Sequence, residues 1–458
     1  MPERRFRVLA VASHPVQYAA PIFRLMAQHP QLDFHVAYCS LRGAEEARDP
    51  EFGTSVKWDV PLLDGYAWTH VPNRGSASES FFGLYNPGLW KFIRDGRFDA
   101  LLCYTGYLRA TFWIAYLAAK SAGAAFLFGT DATTLVSRQD RAWKRLAKRM
   151  AWPLLFRLAD QVIVPSSGTR NLILSLGLPR ERVTLTPYVV DNDWWTAQSA
   201  RVDREAVRAS WGAKPSDTVI LFCAKLQPWK RPADLLRAFA KANLPNALLV
   251  FAAEGPLRQQ LAAEAVVLGV DSRVRFLGFV NQSQLPAVYT SADVMVLPSE
   301  YEPFAVVVNE AMLCGCPVIA SDLVGAARDL IAPVNSEFIF HCGEIDELAG
   351  ILSWTAANSA AVKEISERGR THIQGWCPER NITATVEAID RAISRTGNYR
   401  AGLLPFSVPA EASHLRSRPG LPGIVFAIWI VAAQLWYYLQ FSEQFRSIFR
   451  ITLRQLWR

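Results

Sequence analysis

The chain has 458 residues and a mass of 51.1 kDa, which is too long for one compact core and is typical of two large domains with an appendage. Hydrophobic residues make up 51% and charged residues 20%, so the composition excludes disorder and fibrous repeats for most of the length. The net charge is +8, and residues 401–458, with six Arg against two Glu, carry half of it. This placement favours a membrane-facing tail over a nucleic-acid groove, so we expect no nucleic-acid partner.

Taken in chain order, short buried strands alternate with helical stretches along most of the sequence. Strands are predicted at 7–12, 33–39, 100–104, 124–128 and 161–164, and then at 218–223, 247–251, 274–277, 294–297 and 317–320. Helices such as 232–242 and 285–289 separate them. The pattern predicts an α/β protein of two Rossmann-like, doubly wound domains, at 1–190 and 191–379, that face each other across a cleft.

The alternating pattern stops near residue 395. We expect a helix at 380–397 that returns to the first domain, a Pro- and Ser-containing linker at 398–420, and an apolar plus basic helical tail at 421–458. The 18 residues from 424 to 441 carry no charge, and as a helix they are borderline in length for crossing a bilayer. The tail then continues as a basic amphipathic helix with an Arg at every fourth position: Arg446, Arg450, Arg454 and Arg458.

Three interpretations of this tail remain open. A monotopic or re-entrant anchor is favoured over a true span, because spanning from a cytoplasmic body would translocate four Arg against the positive-inside tendency. The third is a helix that docks on its own body or on a partner chain.

Seven Cys are an odd number, scattered and mostly set in apolar runs. We interpret them as reduced core residues of a cytoplasmic protein. Cys314 and Cys316 have no second Cys pair or His cluster to complete a zinc site.

Two carboxylates, Glu302 in a loop and Glu310 in the following helix, come after the buried strand at 294–297. The backbone N–H groups around Phe304, Ala305 and Val306 lie between them, and at the start of a helix such groups bind phosphate. A ligand with hydroxyls at both ends and a diphosphate in the middle matches this layout, and a nucleotide sugar is such a ligand.

Two cations, Lys225 and Lys230, follow the strand at 218–223. At the carboxyl end of a strand they can reach the same diphosphate from the other side and stabilise its charge as it leaves. Alone this signal is weak, because Lys pairs after strands are commonly solvated.

Together these segments resemble the retaining glycosyltransferases of family 4, which have the GT-B fold. The resemblance covers about residues 161 to 395 and lies in these stretches: Val-Ile-Val-Pro-Ser at 162–166, Gly-Leu-Pro at 177–179, Val-Val-Asp at 189–191, Lys225 with Lys230, Ala-Glu-Gly-Pro at 253–256, the stretch 274–280, and the pair Glu302 and Glu310.

The resemblance implies a role for each matching position. Glu302 would contact the transferred sugar and Glu310 the ribose, while Lys225 and Lys230 would hold the diphosphate. Gly255 falls in the family's Gly-rich turn, and the backbone at Phe279 and Val280 would contact the base. The alternative for Glu310 is a cap or an ion pair within its own helix.

Three departures from the family pattern concern donor binding. Lys225 replaces an Arg and lacks its planar fork. Pro303 removes one N–H, and Ala305 places a Cβ where the family has Gly. The Gly-rich loop after the first strand is replaced by a stretch containing Ser13 and His14.

In the first domain, His14, Gln17 and Tyr18 follow the first strand at its carboxyl end, where α/β sites lie. We take His14 as a catalytic candidate, with a local turn hydrogen bond as the alternative, and Gln17 and Tyr18 as acceptor-side candidates. Asp131 stands where many relatives have a His beside the sugar; the alternative is a helix N-cap. The Asp-Asn-Asp stretch at 191–193 resembles a metal-binding motif, but the family resembled is metal-independent, so no metal is expected.

The sequence thus predicts a retaining glycosyltransferase with a nucleotide-sugar donor and a lipid-linked or saccharide acceptor. We expect it to act in bacterial surface polysaccharide or glycolipid assembly, peripheral to or anchored at the inner face of the cytoplasmic membrane. The alternatives are a catalytically silent nucleotide-binding subunit of the same fold and a nucleotide-sugar epimerase.

Overall fold

The computed structural model describes residues 5–49, 54–136 and 141–402. The tail predicted at 421–458 lies outside the described residues, as does most of the linker predicted at 398–420. No helix within the described part of the chain is long and apolar enough to cross a bilayer.

Within its described residues, the first domain contains nine strands and five α-helices. They are β1 (Phe6–Ala12), α1 (Ala20–Gln28), β2 (Leu32–Tyr38), β3 (Ala47–Asp49), β4 (Thr54–Val56), β5 (Ala67–His70), α2 (Gly88–Gly96), β6 (Ala100–Cys103), α3 (Ala110–Ala122), β7 (Ala125–Gly129), α4 (Ala142–Phe156), β8 (Gln161–Val164), α5 (Ser167–Ser175) and β9 (Val183–Leu185).

The second domain begins at an N-cap, where the Asp191 carboxylate accepts a hydrogen bond from the backbone N–H of Trp194 at 3.0 Å. Its elements are α6 (Asn192–Ser199), α7 (Arg204–Ser210), β10 (Thr218–Phe222), α8 (Pro232–Ala242), β11 (Ala247–Phe251), α9 (Arg258–Val267), β12 (Val274–Phe276), α10 (Leu285–Ser291), β13 (Val294–Leu297), α11 (Val307–Leu313), β14 (Val318–Ser321), α12 (Ala332–Asn335), β15 (Ile339–Phe340), α13 (Ile345–Ala357) and α14 (Ser359–Gln374).

Each domain is built on one parallel sheet. The strand order is β5-β2-β1-β6-β7-β8-β9 in the first and β12-β11-β10-β13-β14-β15 in the second, and neighbouring strands are parallel throughout. The strand order along the sheet changes direction between β1 and β6 in the first domain and between β10 and β13 in the second. The loops that follow the two strands of each pair run to opposite sides of the sheet, so a crevice opens at its carboxyl edge.

Helices cover both faces of these sheets, which is why the strands read as continuous apolar runs. In β1, for example, Val8 and Ala10 pack into one buried cluster while Leu9 and Val11 pack into the other.

The last described helix, α15 (Pro378–Gly402), crosses back to the first domain. It contacts β7, β8 and β9, and its Arg395 donates to the Asp160 and Glu181 carbonyls at 2.9 and 2.7 Å. The helix extends beyond residue 397 because no Pro interrupts it before Pro405, so the linker predicted from residue 398 starts too early.

The fold prediction is confirmed: the chain has two Rossmann-like α/β halves facing a cleft. The main strands lie within about two residues of their predicted ends, as expected for patterns read from sequence. The sequence analysis missed β5, β9, β15 and the β3-β4 hairpin, because these are short or partly exposed edge elements without a long buried run.

Candidate active site

A cavity of about 500 Å³ lies between the carboxyl edges of the two sheets. Its walls include nearly all of the residues singled out from the sequence. The first domain contributes His14, Gln17, Tyr18 and Asp131; the second contributes Lys225, Lys230, Phe279, Val280, Glu302, Phe304, Ala305, Val306 and Glu310. The exception is Gly255, which does not line the cavity.

Glu302 and Lys230 form an ion pair inside the cavity. Their side chains are only 16% and 17% exposed, so water screens the pair weakly. Glu302 follows β13 and Lys230 follows β10, two strands that are paired in the sheet. Adjacent strand ends therefore bring together two charges that stand 72 residues apart in the chain.

Asp131 reaches the same region from the first domain, in the loop after β7. Burial raises the pKa of its carboxyl group, and the nearby negative charge of Glu302 raises it further. The alternative of an N-cap is wrong, because the next described helix, α4, begins at Ala142 and has Arg141 at its N-cap. The Asp131 carbonyl instead accepts a hydrogen bond from Thr169 at 3.1 Å.

The segment from Glu302 to Val306 is a turn rather than the start of a helix. We expected Phe304 to Val306 to form the first helical turn, but α11 begins at Val307 with Val306 at its N-cap. Ala305 has a φ of 86°, a left-handed conformation that costs a residue with a Cβ free energy. The turn is held in place by hydrogen bonds from Gly325 N–H to the Glu302 carbonyl and from Ala326 N–H to the Phe304 carbonyl, at 2.9 and 2.8 Å.

Glu310 is 4% exposed and points out of α11 towards the cavity. Its carboxylate accepts a hydrogen bond from the Tyr289 hydroxyl of α10 at 2.9 Å, so it contacts a neighbouring helix. Burial raises its pKa to about 7.

Lys225 lies in a loop that rests on Gly255. The backbone N–H of Leu226 donates to the Glu254 carbonyl at 3.0 Å, and a Cβ at Gly255 would come within 2.7 Å of the Leu226 carbonyl oxygen. Gly255 thus supports the lysine loop from behind.

The first-domain wall of the cavity contains aromatic side chains as well as polar ones. His14 Nδ1 lies 3.0 Å from the Ser13 hydroxyl, which is the local turn contact considered above. Tyr18 packs edge-on against Tyr188 with ring centroids 6.1 Å apart, and Tyr188 packs against Phe304 at 5.3 Å. Burial raises the pKa of Tyr18, so this hydroxyl is neutral and can donate a hydrogen bond.

The sequence analysis missed several other residues of the cavity wall, among them Arg42, Trp58, Tyr188 and Trp229. Arg42 had a detectable signal, since it follows β2 near the carboxyl end of that strand. Trp58 had none, because it lies on an irregular segment after the β3-β4 hairpin.

That segment also bridges the domains next to Phe279. Trp58 and Phe279 have ring centroids 6.1 Å apart. The Asp59 carboxylate accepts hydrogen bonds from the Ser283 hydroxyl and, at 3.1 Å, from its N–H; Asn281 donates to the Lys57 carbonyl at 2.8 Å. We call residues 57–59 and 281–283 the interdomain clasp.

Among residues 5–49, 54–136 and 141–402, no group of three or more His, Cys, Asp or Glu side chains is placed to hold a metal ion. All seven cysteines are free thiols, five of them buried.

Two family descriptions match the chain. The model for a glycosyl transferase 4-like domain matches residues 19–189, and the model for glycosyl transferases group 1 matches residues 203–372. Together they cover about three quarters of the sequence. The chain belongs to the GT-B glycosyltransferases of this family.

Individual relatives and structures agree with this membership. The chain is 38% identical over 181 residues to a D-inositol 3-phosphate glycosyltransferase of Mycobacterium sp. strain KMS. The matched stretch covers 37% of this chain and 40% of that protein. The chain therefore spans less than half the length of this curated relative.

Two solved structures share the fold of this GT-B chain. Anabaena HepE in complex with UDP and glucose has a TM-score of 0.60 at 18% identity, over 87% of this chain and 100% of that one. WaaG, a glycosyltransferase involved in lipopolysaccharide biosynthesis, has a TM-score of 0.57 at 16% identity, over 80% of this chain and 95% of that one.

Proposed function

We propose that this chain transfers a sugar from a nucleotide-sugar donor to an acceptor hydroxyl with retention of the anomeric configuration. One observation carries the proposal: a single cavity collects two lysines and two glutamates from the second domain opposite Asp131 from the first. The HepE complexes with UDP and with UDP-glucose support a nucleotide-sugar donor.

The donor lies along the second-domain wall in this proposal. Lys225 and Lys230 contact the diphosphate beside the turn at 304–306, Glu310 accepts hydrogen bonds from the ribose, and the base meets the backbone at Phe279 and Val280. The lysines supply the positive charge that the leaving diphosphate needs, so we propose that transfer requires no metal.

The chemistry needs no protein nucleophile. The acceptor oxygen bonds to the anomeric carbon on the face from which the diphosphate leaves, the bond from that carbon to the phosphate oxygen breaks, and a phosphate oxygen takes the hydroxyl proton. When the diphosphate draws Lys230 towards itself, Glu302 is released to hold the sugar hydroxyls and stabilise the positive charge at the anomeric carbon. Asp131 and His14 face the same space from the first domain and position the acceptor.

We propose a lipid-linked or saccharide acceptor in the assembly of a bacterial surface polysaccharide or glycolipid, at the inner face of the cytoplasmic membrane. The apolar and basic sequence at 421–458 supports a membrane location. The fold shared with WaaG is consistent with such a pathway.

The test is nucleoside diphosphate release from a panel of UDP-, GDP- and ADP-sugars by the full-length protein, with lipid extract as acceptor. Glu302→Gln is expected to lower turnover at least about a hundredfold while UDP still binds, because the charge at the anomeric carbon loses its carboxylate.

The matched control is Glu300→Gln, which makes the same change two residues away at a carboxylate that is 46% exposed and pairs with Arg231. Equal turnover in Glu302→Gln and wild type would refute the assigned role. Nucleotide binding without transfer from any donor would instead favour the silent subunit, which the strained Ala305 at the cavity wall makes the second candidate.

A further inference from the structure

A second contact between the domains lies away from the interdomain clasp. Asp329, in a π-helical turn (Ala327–Ile331) that follows β14, binds Ser167 at the start of α5 in the first domain. The Ser167 N–H donates to one oxygen of the Asp329 carboxylate at 2.8 Å, and the Ser167 hydroxyl donates to the other. Because both oxygens are used, the contact fixes the orientation of the carboxylate as well as its position.

The place of this contact in the two sheets separates it from the clasp. In the second sheet, residues 281–283 follow β12 at one edge, whereas Asp329 follows β14 near the other edge. Strands β10 and β13, whose following loops line the cavity, lie between them. The two domains are therefore joined on both sides of the cavity.

Asp329 acts on α5 as a cap supplied by the other domain. The helix has its own N-cap, Ser166, which accepts a hydrogen bond from the Thr169 N–H at 3.1 Å. The Ser167 N–H belongs to the first turn, where a helix leaves its donors without partners of its own. A carboxylate at this end also interacts favourably with the positive end of the helix dipole. Both effects hold the first turn of α5 against the second domain.

The first turn of α5 also holds the loop that carries Asp131. The buried hydroxyl of Thr169 donates to the Asp131 carbonyl at 3.1 Å. Gly168 packs so closely on this loop that a Cβ there would lie 3.1 Å from Thr133 Cγ2. A shift of the first turn of α5 would therefore move Asp131, which lines the cavity.

The segment that contains Asp329 begins at the turn that carries Glu302. The Gly325 N–H donates to the Glu302 carbonyl at 2.9 Å. The Asp329 N–H in the π-helical turn then donates to the Ala326 carbonyl at 3.2 Å. Residues 325–329 thus form a short hydrogen-bonded connection between the Glu302 turn and α5.

We infer that Asp329 is a positioning residue that sets Asp131 opposite Glu302 by binding α5 across the domain interface. Each step from the Glu302 turn, through residues 325–329 and the start of α5, to the Asp131 loop is a hydrogen bond or a close packing contact. Burial and then the charge of Glu302 raise the pKa of Asp131, so the two carboxyl groups interact across the cleft. The effect on catalysis rests on the proposed function, in which Asp131 positions the acceptor, whereas the link from Asp329 to the Asp131 loop does not.

Hydrogen exchange of the full chain, followed by mass spectrometry, tests this link without any substrate. Asp329→Ala is expected to speed amide exchange at least about fivefold in residues 131–136 and 167–170 of the other domain, because the start of α5 loses its acceptor. The matched control is Asp322→Ala, which also follows β14 but removes a carboxylate that accepts from the Cys342 N–H at 3.0 Å within the second domain. The control should leave exchange in both first-domain segments unchanged. Unchanged exchange in Asp329→Ala, or an equal increase in the control, would overturn the proposal.

Turnover tests the effect on the reaction. Asp329→Ala should lower kcat about tenfold and change the donor KM less than about twofold, because Asp131 is displaced while the donor-binding residues of the second domain stay in place. Unchanged UDP affinity shows that the variant is folded, and an unchanged kcat would refute the role.

Ser167→Ala provides a milder second variant, since it removes the hydroxyl and keeps the N–H. Combined with Asp329→Ala, it should be no slower than Asp329→Ala alone, because the hydroxyl then has no carboxylate to bind. Additive losses in kcat would contradict the proposal. If the wild type transfers no sugar from any donor, the proposed function fails, while hydrogen exchange still decides whether Asp329 holds the Asp131 loop.

Discussion

At the residue scale, two opposing effects act on the pKa of the Glu310 carboxyl group: burial raises it and a hydrogen bond lowers it. Tyr289 donates a hydrogen bond to the carboxyl group at 2.9 Å, yet burial still raises its pKa to about 7 from the ordinary value of 4.5. The folded protein therefore holds a proton on Glu310 at a pH where the unfolded chain has released it. Stability from this group is complete below about pH 4.5 and is lost as the pH rises towards 7.

Glu310→Gln should remove this pH dependence. The variant should be more stable than wild type at pH 8, by up to about 3 kcal/mol, and the difference should shrink towards zero near pH 4.5. Urea unfolding at several pH values measures it, with the exposed Glu337→Gln as the control. A stability difference that does not change with pH would contradict the assigned shift.

Ala305, which stands where the family pattern has Gly, has a strained backbone conformation. Its φ of 86° suits Gly, and the Cβ lies at the cavity wall. The turn therefore places an alanine in a backbone conformation that a glycine would adopt without strain.

At the element scale, the loops after β10 and β11 depend on each other. Gly255 has a φ of 153°, and a Cβ there would lie 2.7 Å from the Leu226 oxygen and 2.9 Å from its nitrogen. Both contacts are with backbone, so no side chain can move aside. The loop that carries Lys225 must shift if this position has a side chain.

Gly255→Ala is therefore expected to lower the free energy of unfolding by about 1–3 kcal/mol and to weaken UDP binding. Gly269→Ala is the matched control, because Gly269 also has a positive φ, 68°, but a Cβ there meets nothing within 4 Å. The control should lose some stability from backbone strain and keep its UDP affinity. Calorimetric titration with UDP decides the point; equal affinities for both variants would disprove support of the lysine loop by Gly255.

At the scale of the whole molecule, the two domains meet beside the cavity through the interdomain clasp. Asp59 accepts hydrogen bonds from Ser283, and Asn281 donates to Lys57. These contacts lie next to Phe279 and Val280, the residues assigned to the base. The clasp therefore stabilises the arrangement in which residues of both domains line one cavity.

Asp59→Ala should shift the domains towards an open arrangement and weaken UDP binding about three- to tenfold, since two modest hydrogen bonds to Ser283 are lost and fewer molecules are closed. Small-angle scattering should report a larger radius of gyration, and titration should report the affinity. Asp64→Ala removes the same charge from a nearby exposed position and should change neither. Identical scattering and affinity for Asp59→Ala and wild type would rule out the role of the clasp.

Much of the fold was predictable because its signals are local. Continuous apolar runs such as 294–297 mark strands buried on both faces, and the residues that follow them lie at the carboxyl edge of a parallel sheet. Glu302, Lys225 and Lys230 were found in this way, and the cavity contains all three. The membrane role of the tail stays a prediction, because those residues lie outside the described part of the chain.

The sequence by itself determined the two parallel α/β halves, since the period of apolar residues and the order of strands and helices allow few other packings. Only the tertiary structure decided which distant groups meet. The ion pair of Glu302 with Lys230, the influence of Glu302 on Asp131, and the clasp at Asp59 depend on strand order and on how the domains face each other.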